Sequence, residues 1–167
     1  MKEANHKFND KLVMTYAQYF KAMTSRVVSI IRAFEAAFGG EEVHRALKEW
    51  SENAAREMAP DSITDFQKFK DYWKTTLESD NWSKILTCEF LEESNKKLAC
   101  KYSECLWAET MKDMNTEDIG YILFCHPDFE MAKAIHPNLR LERSRTLMEG
   151  HEFCDHTFHW DKKPTPD

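Results

Sequence analysis

Glycine is scarce in this 167-residue chain, with four residues, and proline is hardly commoner, with five. That leaves no room for a low-complexity segment or a flexible linker, both of which need runs of such residues. No stretch of about 18 apolar residues occurs, so a membrane-spanning helix is not expected. The opening MKEANHKFNDK lacks the apolar centre of a secretion signal. An excess of basic charge is also missing: 23 Lys and Arg stand against 29 Asp and Glu, a net charge of −6. Nucleic-acid binders usually carry a basic footprint, so neither nucleic acid nor a membrane is expected as a partner. Nor is a disulfide framework supported. The cysteines, at 88, 100, 105, 125 and 154, are odd in number and form no CxxC. They read as reduced thiols in a cytoplasmic protein.

What is present is enough apolar matter for a core: 42% hydrophobic residues and 13% aromatic. The length suits one domain over 1–167, with a helical half at 8–78 and a sheet-bearing half at 84–160. Leu12, Tyr16, Tyr19, Met23, Val27, Ile30, Phe34 and Phe38 step by three or four and line one face of a long helix, expected to face the core. Gly39-Gly40 ends it, and Glu41 and Glu42 open a second helix, whose apolar face is Val43, Leu47, Trp50 and Ala54. Pro60 stops that one. Asp61 or Ser62 is expected to cap a third, carrying Ile63, Phe66, Phe69, Trp73 and Leu77.

The pattern then changes. KILTCEFLEE (84–93) and KKLACKYS (96–103) read as strands of a hairpin around Ser94-Asn95. Three short helices follow, over 104–114, 115–125 with Thr116 as N-cap, and 126–135 with Pro127 in its first turn. LRLERSRTLMEG (139–150) and FCDHTFHW (153–160) alternate and form a second hairpin; the tail beyond should be frayed. The predicted fold is α+β: a helical N-terminal half packed on a roughly four-stranded antiparallel sheet, with short helices inserted between two hairpins.

Chemistry-bearing residues concentrate in the second half. Cys105 and Glu109 share a helix face, and a thiol in a first turn is expected to have a lowered pKa. Cys125 precedes Asp128, which falls in the first turn of the next helix. Residues 151–160 hold one cysteine, one aspartate and three histidines. Strand alternation puts Cys154 and His156 on one face, where the imidazole is expected to poise a proton near neutral pH. Asp155 falls on the other face, expected to pair with Arg143 or Arg145. The same alternation splits the nearby Cys and His side chains between two faces, which argues against a metal site. Arg143 and Arg145 share a side with Leu139, Leu141 and Leu147, unusual for cations unless paired.

CLWAE (105–109), LFCHPDFEMAKAIHPNLRLERSRTLMEG (123–150) and CDHTF (154–158) resemble the L-2-amino-thiazoline-4-carboxylic acid hydrolase family. The resemblance covers roughly 84–160 and falls on Cys105, Glu109, Cys125, Asp128, Arg143, Thr146, Gly150, Cys154 and Asp155. His156 stands where that family often has Phe, and Thr157 where it often has Arg. The resemblance implies a hydrolase that opens a 2-aminothiazoline ring without a cofactor. It implies catalytic roles among Cys105, Glu109, Asp128, Cys154 and His156, and substrate contacts from Cys125, Arg143, Arg145 and Thr146. Gly150 and Asp155 would be structural. Glu109 or Asp128 would hold the amidine-like head, Cys105 or Cys154 would deliver the attack, and Arg143 or Arg145 would bind a carboxylate. The pocket is then expected between the sheet and the short helices of 104–135. A non-catalytic module binding a small molecule is the competing reading, and a Cys/His redox or metal sensor a third; the oligomeric state stays open.

Overall fold

The computed structural model describes residues 13–161. Leu12 of the long apolar face and the tail at 162–167 lie outside the described residues. The fold is α+β. Helices α1 (Tyr16–Phe38), α2 (Gly40–Met58) and α3 (Phe66–Glu78) come first, then strands β1 (Leu86–Glu93) and β2 (Lys97–Cys105). Helices α4 (Leu106–Asp113), α5 (Glu117–Gly120) and α6 (Pro127–Ile135) lead into β3 (Leu139–Glu142) and β4 (Cys154–Trp160). The four strands are antiparallel in the order β1-β2-β4-β3.

Local chemistry sets the helix ends. Thr15 and Gln18 form a capping box at the start of α1, and Gly39, at φ 92, ends it in a conformation that suits glycine. The third helix starts later than expected. Asp65, not Asp61 or Ser62, is the cap, because its carboxylate accepts the Lys68 amide at 2.9 Å. Thr116 occupies the N-cap position of α5, but its hydroxyl turns back to the Met111 carbonyl.

One face of the sheet carries the main core. Leu98, Cys100 and Tyr102 of β2 stand opposite Phe158, His156 and Cys154 of β4. Phe66, Phe69, Ala132 and Ile135, from α3 and α6, cover them. A second core joins Val28 and Ile31 of α1 to Ala108, Met111, Ile119 and Met148. Gly120 is required there: a Cβ on it would lie 2.7 Å from Met148 Sδ and 2.8 Å from Met111 Cγ. Glu52 and Arg56 of α2 bind His126 and Glu130, which ties α2 to the start of α6.

Three expectations change. The periodic face of α1 is not in the core. Tyr16, Tyr19, Met23, Val27, Ile30, Phe34 and Phe38 are all exposed, while the helix packs inward through Thr24, Val28 and Ile31. Trp50 of α2 is exposed as well. Second, α5 and α6 run into one another through a π-type turn at Tyr121–Cys125. Third, the strand expected over 139–150 stops at Glu142, so Arg143 and Arg145 no longer share a side.

Asp155 explains that early stop. Its carboxylate accepts the amides of Ser144 and Arg145, at 2.9 and 2.6 Å, and the Ser144 hydroxyl at 2.6 Å. It holds a backbone turn and not an arginine side chain, which corrects the expected ion pair. Burial opposes its charge, but these donors hold it below the usual carboxylate range. The turn continues through Thr146, whose carbonyl accepts the His151 amide, and Gly150 closes it at φ 90.

Asp155→Asn should lower stability by about 2 kcal/mol, the cost of weakening charge-assisted hydrogen bonds. The loss should appear as a lower urea midpoint with an unchanged slope. An unchanged midpoint would show that the turn does not depend on the charge.

Candidate active site

The π-type turn creates the first half of the site. The His126 amide reaches back to the Tyr121 carbonyl at 2.8 Å, and the Phe129 amide bonds the His126 carbonyl. The Cys125 carbonyl, which a regular helix would have paired with Phe129, is therefore open to another donor. Arg143, just past the end of β3, supplies it. Its Nη2 donates to the Cys125 carbonyl at 2.9 Å. Its Nη1 donates to Asp128 Oδ2 at 2.7 Å and to His156 Nε2 at 3.2 Å. The guanidinium lies over the rings of Phe129 and Tyr121, with centroids at 4.8 and 5.7 Å. The Arg143 side chain is only 2% exposed, while Asp128 keeps 31% of its side chain open.

Electrostatics follow from this burial. The Asp128 carboxyl is driven up to about 6 by desolvation, with Arg143 pulling the other way. His156 is pushed down to about 3 by burial and by the neighbouring guanidinium. A guanidinium can only donate, so Nε2 must be the bare, accepting nitrogen. The expected proton carrier near neutral pH is instead a neutral ring that steadies Arg143. Its Nδ1 is buried with no hydrogen-bond partner among the described residues. Tyr102 packs against the His156 ring at 4.8 Å and accepts a hydrogen bond from Trp73 at 3.0 Å.

The thiols behave alike. Cys105 is the N-cap of α4, and the Ala108 and Trp107 amides favour its thiolate, but burial outweighs them and raises the pKa to about 11. That reverses the expected helix-terminus effect. Burial also raises Cys125. It raises Cys154 too, although the Leu147 amide donates to Cys154 Sγ at 3.1 Å. All three lie within electrostatic reach of Asp128. Neutral pH finds them as thiols.

The structure thus brings together Cys105, Cys125, Asp128, Arg143, Cys154 and His156. Glu109 stands apart. It is exposed and lines a groove of about 230 Å³ with Lys84, Thr87 and Glu104. Arg145 is exposed and stacks on Phe153. Thr146 is 1% exposed, and its hydroxyl donates to Glu149 inside the turn. Thr157 points with Asp155 to the opposite side of β4, so the residue at that position does not face the cluster. Sequence reasoning missed Tyr121, Phe129 and Tyr102. The β2 alternation could have exposed Tyr102; nothing in the local pattern singles out Tyr121. Elsewhere, Glu35, His44 and Asp118 place ligand atoms within 4.8 Å of one another, but Arg32 already bridges both carboxylates.

His156 favours folding above its ordinary value of 6.5 and works against it as pH falls from there toward 3. Asp128 acts oppositely, because the folded state binds its proton more tightly between 3.8 and about 6. The ring ¹⁵N shifts of His156 should stay in the range of a neutral imidazole from about pH 8 to 5, moved only slightly as the neighbouring Asp128 titrates near 6. A full shift to imidazolium values with a midpoint near 6.5 would show a ring that charges freely and would undo its role as an acceptor for Arg143.

No curated protein matches the chain in sequence. Among solved structures, it is similar to the crystal structure of the phenol-responsive sensory domain of the transcription activator PoxR with phenol. The TM-score is 0.44 at 8% identity, over 90% of this chain and 77% of that one. The family model of L-2-amino-thiazoline-4-carboxylic acid hydrolase matches residues 16–158. That match runs from the first residue of α1 into β4, so it takes in the helical half together with every residue of the cluster. The chain belongs to the L-2-amino-thiazoline-4-carboxylic acid hydrolase family.

Proposed function

We propose that the protein opens a small cyclic amidine or thiazoline ring by hydrolysis, as in 2-amino-thiazoline-4-carboxylate to N-carbamoyl-cysteine, with Asp128 as general base. The observation that carries this reading is a partly open carboxylate held by a buried arginine; desolvation lifts its pKa to about 6. Arg143 occupies Oδ2, and Oδ1 makes no hydrogen bond among the described residues. That oxygen can take a proton from water. A pKa just below neutral leaves the base ionised and still able to accept the proton.

The hydroxide equivalent adds to the ring carbon between sulfur and nitrogen. The tetrahedral intermediate breaks its bond to sulfur, and the departing thiolate takes the proton that Asp128 received. One water is consumed, and the product carries a free thiol and a urea group. Cys105, Cys125 and Cys154 line the site as thiols. Water is the better nucleophile here, because a thiol with a raised pKa supplies little thiolate. Arg143 holds the base and has no exposed edge to offer a substrate carboxylate. The ring head, more than the carboxylate, is then what the site recognises. Glu109 takes no part in this scheme.

One observation favours the competing reading of a binding module: no side chain in the cluster rests as an activated nucleophile. Incubation with 2-aminothiazolines, with and without a 4-carboxylate, separates the two. A hydrolase adds the mass of one water and releases a thiol, whereas a binding module changes no mass.

Asp128→Asn should lower kcat/KM by roughly 10²- to 10⁴-fold. In the unaltered protein kcat/KM should rise with pH and level off above about 6, as the base loses its proton. Activity that is independent of pH from 5 to 8 would remove Asp128 from the chemistry. Cys154→Ser should keep its activity within about tenfold, because the thiol is not the attacking group. A loss of roughly a thousandfold in a folded Cys154→Ser protein would restore covalent catalysis by that residue.

A further inference from the structure

Among the described residues, nothing covers the outer face of α1. Phe38 is 69% exposed, Ile30 55% and Tyr19 52%. The face repeats every eleven residues: Tyr16, Val27 and Phe38 are eleven apart, and so are Met23 and Phe34. Eleven residues make three turns at about 3.67 residues per turn, close to the α-helical 3.6. The stripe therefore runs almost straight for the whole helix, about 33 Å. At its C-terminal end it continues into a groove of about 380 Å³, where Phe34 and Phe38 meet Val43, Ala46 and Leu47 of α2. Trp50, 61% exposed, follows Val43 and Leu47 at helical spacing. Buried elements do not look like this, and monomers rarely expose so long an apolar patch.

We infer that this face is the interface between two copies of the chain, packed α1 against α1 about a two-fold axis. Area supports the assignment. The stripe and Trp50 are large side chains about half exposed, which amounts to on the order of 800 Å² per chain, what each partner of a standard interface buries. Charge supports it too. Helix α1 carries four charged residues, and Lys21, Arg32 and Glu35 are tied to Asp113, Asp118 and His44 of the same chain. An anionic lipid surface would want a basic rim along the stripe; within α1 only Arg26 is left without such a tie among the described residues, and Lys84, over the Tyr16 ring, adds one cation at its start. A second copy needs no such rim, since an isologous contact asks only that the patch suit itself. The small flanking residues Ala22, Ala33 and Ala37 let two helices approach closely.

Sedimentation equilibrium of the full chain should give twice the chain mass of 19.7 kDa at micromolar concentration. Val27→Glu and Ile30→Glu, each appearing twice in a two-fold contact, should each raise the dimer dissociation constant by roughly 100-fold. Both positions are about half exposed in the single chain, so the far-UV spectrum should not change. Leu91→Glu, equally exposed but on β1, should leave the mass doubled. A monomer at every concentration overturns the inference. So does a dimer that survives both substitutions with its affinity intact. Should either variant fail to fold, Phe38→Lys at the helix end reads the same shift. A monomer that floats with phosphatidylserine vesicles would assign the face to a membrane and overturn the dimer.

Discussion

Arg143 takes a full positive charge to a place where its side chain is 2% exposed. Removing such a charge from water costs several kcal/mol unless every donor finds a partner and a counter-charge lies close. The partners come from distant parts of the chain. Asp128 is in the first turn of α6, the Cys125 carbonyl in the π-type turn before it, and His156 in β4. Satisfying one guanidinium therefore sets the register between the helical insertion and the second hairpin. The aromatic faces of Phe129 and Tyr121 complete its surroundings without adding polar groups to solvate.

The same low-dielectric environment generates the reactivity. Neutral forms are favoured throughout: the carboxyl of Asp128 rises, the imidazole of His156 falls, and the thiols rise. Asp128 alone in the cluster is a carboxylate with a partner on one oxygen, no hydrogen bond on the other among the described residues, and part of its side chain open. One environment thus separates a group that can exchange a proton near neutrality from neighbours that cannot. The site also lies where the two cores meet, with Leu147 packed against both. Changes in helix packing around α1 and α4 can therefore reach the cluster through Cys105 and Cys125, which pack against the second core.

Much of this was legible in the residues, and the gaps have physical causes. The alternation along β4 placed Cys154, His156 and Phe158 on one face, and the structure keeps them there. Cys125 before α6, Asp128 in its first turn and Arg143 after β3 pointed to one neighbourhood through the resemblance. Glu109 was misplaced because helical spacing says which residues share a face, not which way that face looks. Arg145 was misplaced because alternation was extended beyond Glu142, and Asp155 captures the backbone there. The α1 stripe shows the limit most plainly. Periodicity identifies an apolar face, but a face can meet another molecule as well as its own core.

By itself, the sequence determined the order and type of the elements, the antiparallel pairing by hairpins and the family. These rest on local properties: side-chain period, turn residues, caps and short spacings. Only the tertiary structure decided which helix face is buried, that Arg143 and not Arg145 enters the interior, and that His156 is an acceptor and not a proton carrier. Those outcomes depend on desolvation and on partners brought together across the chain, from Asp128 to His156, and no window of neighbouring residues contains that information.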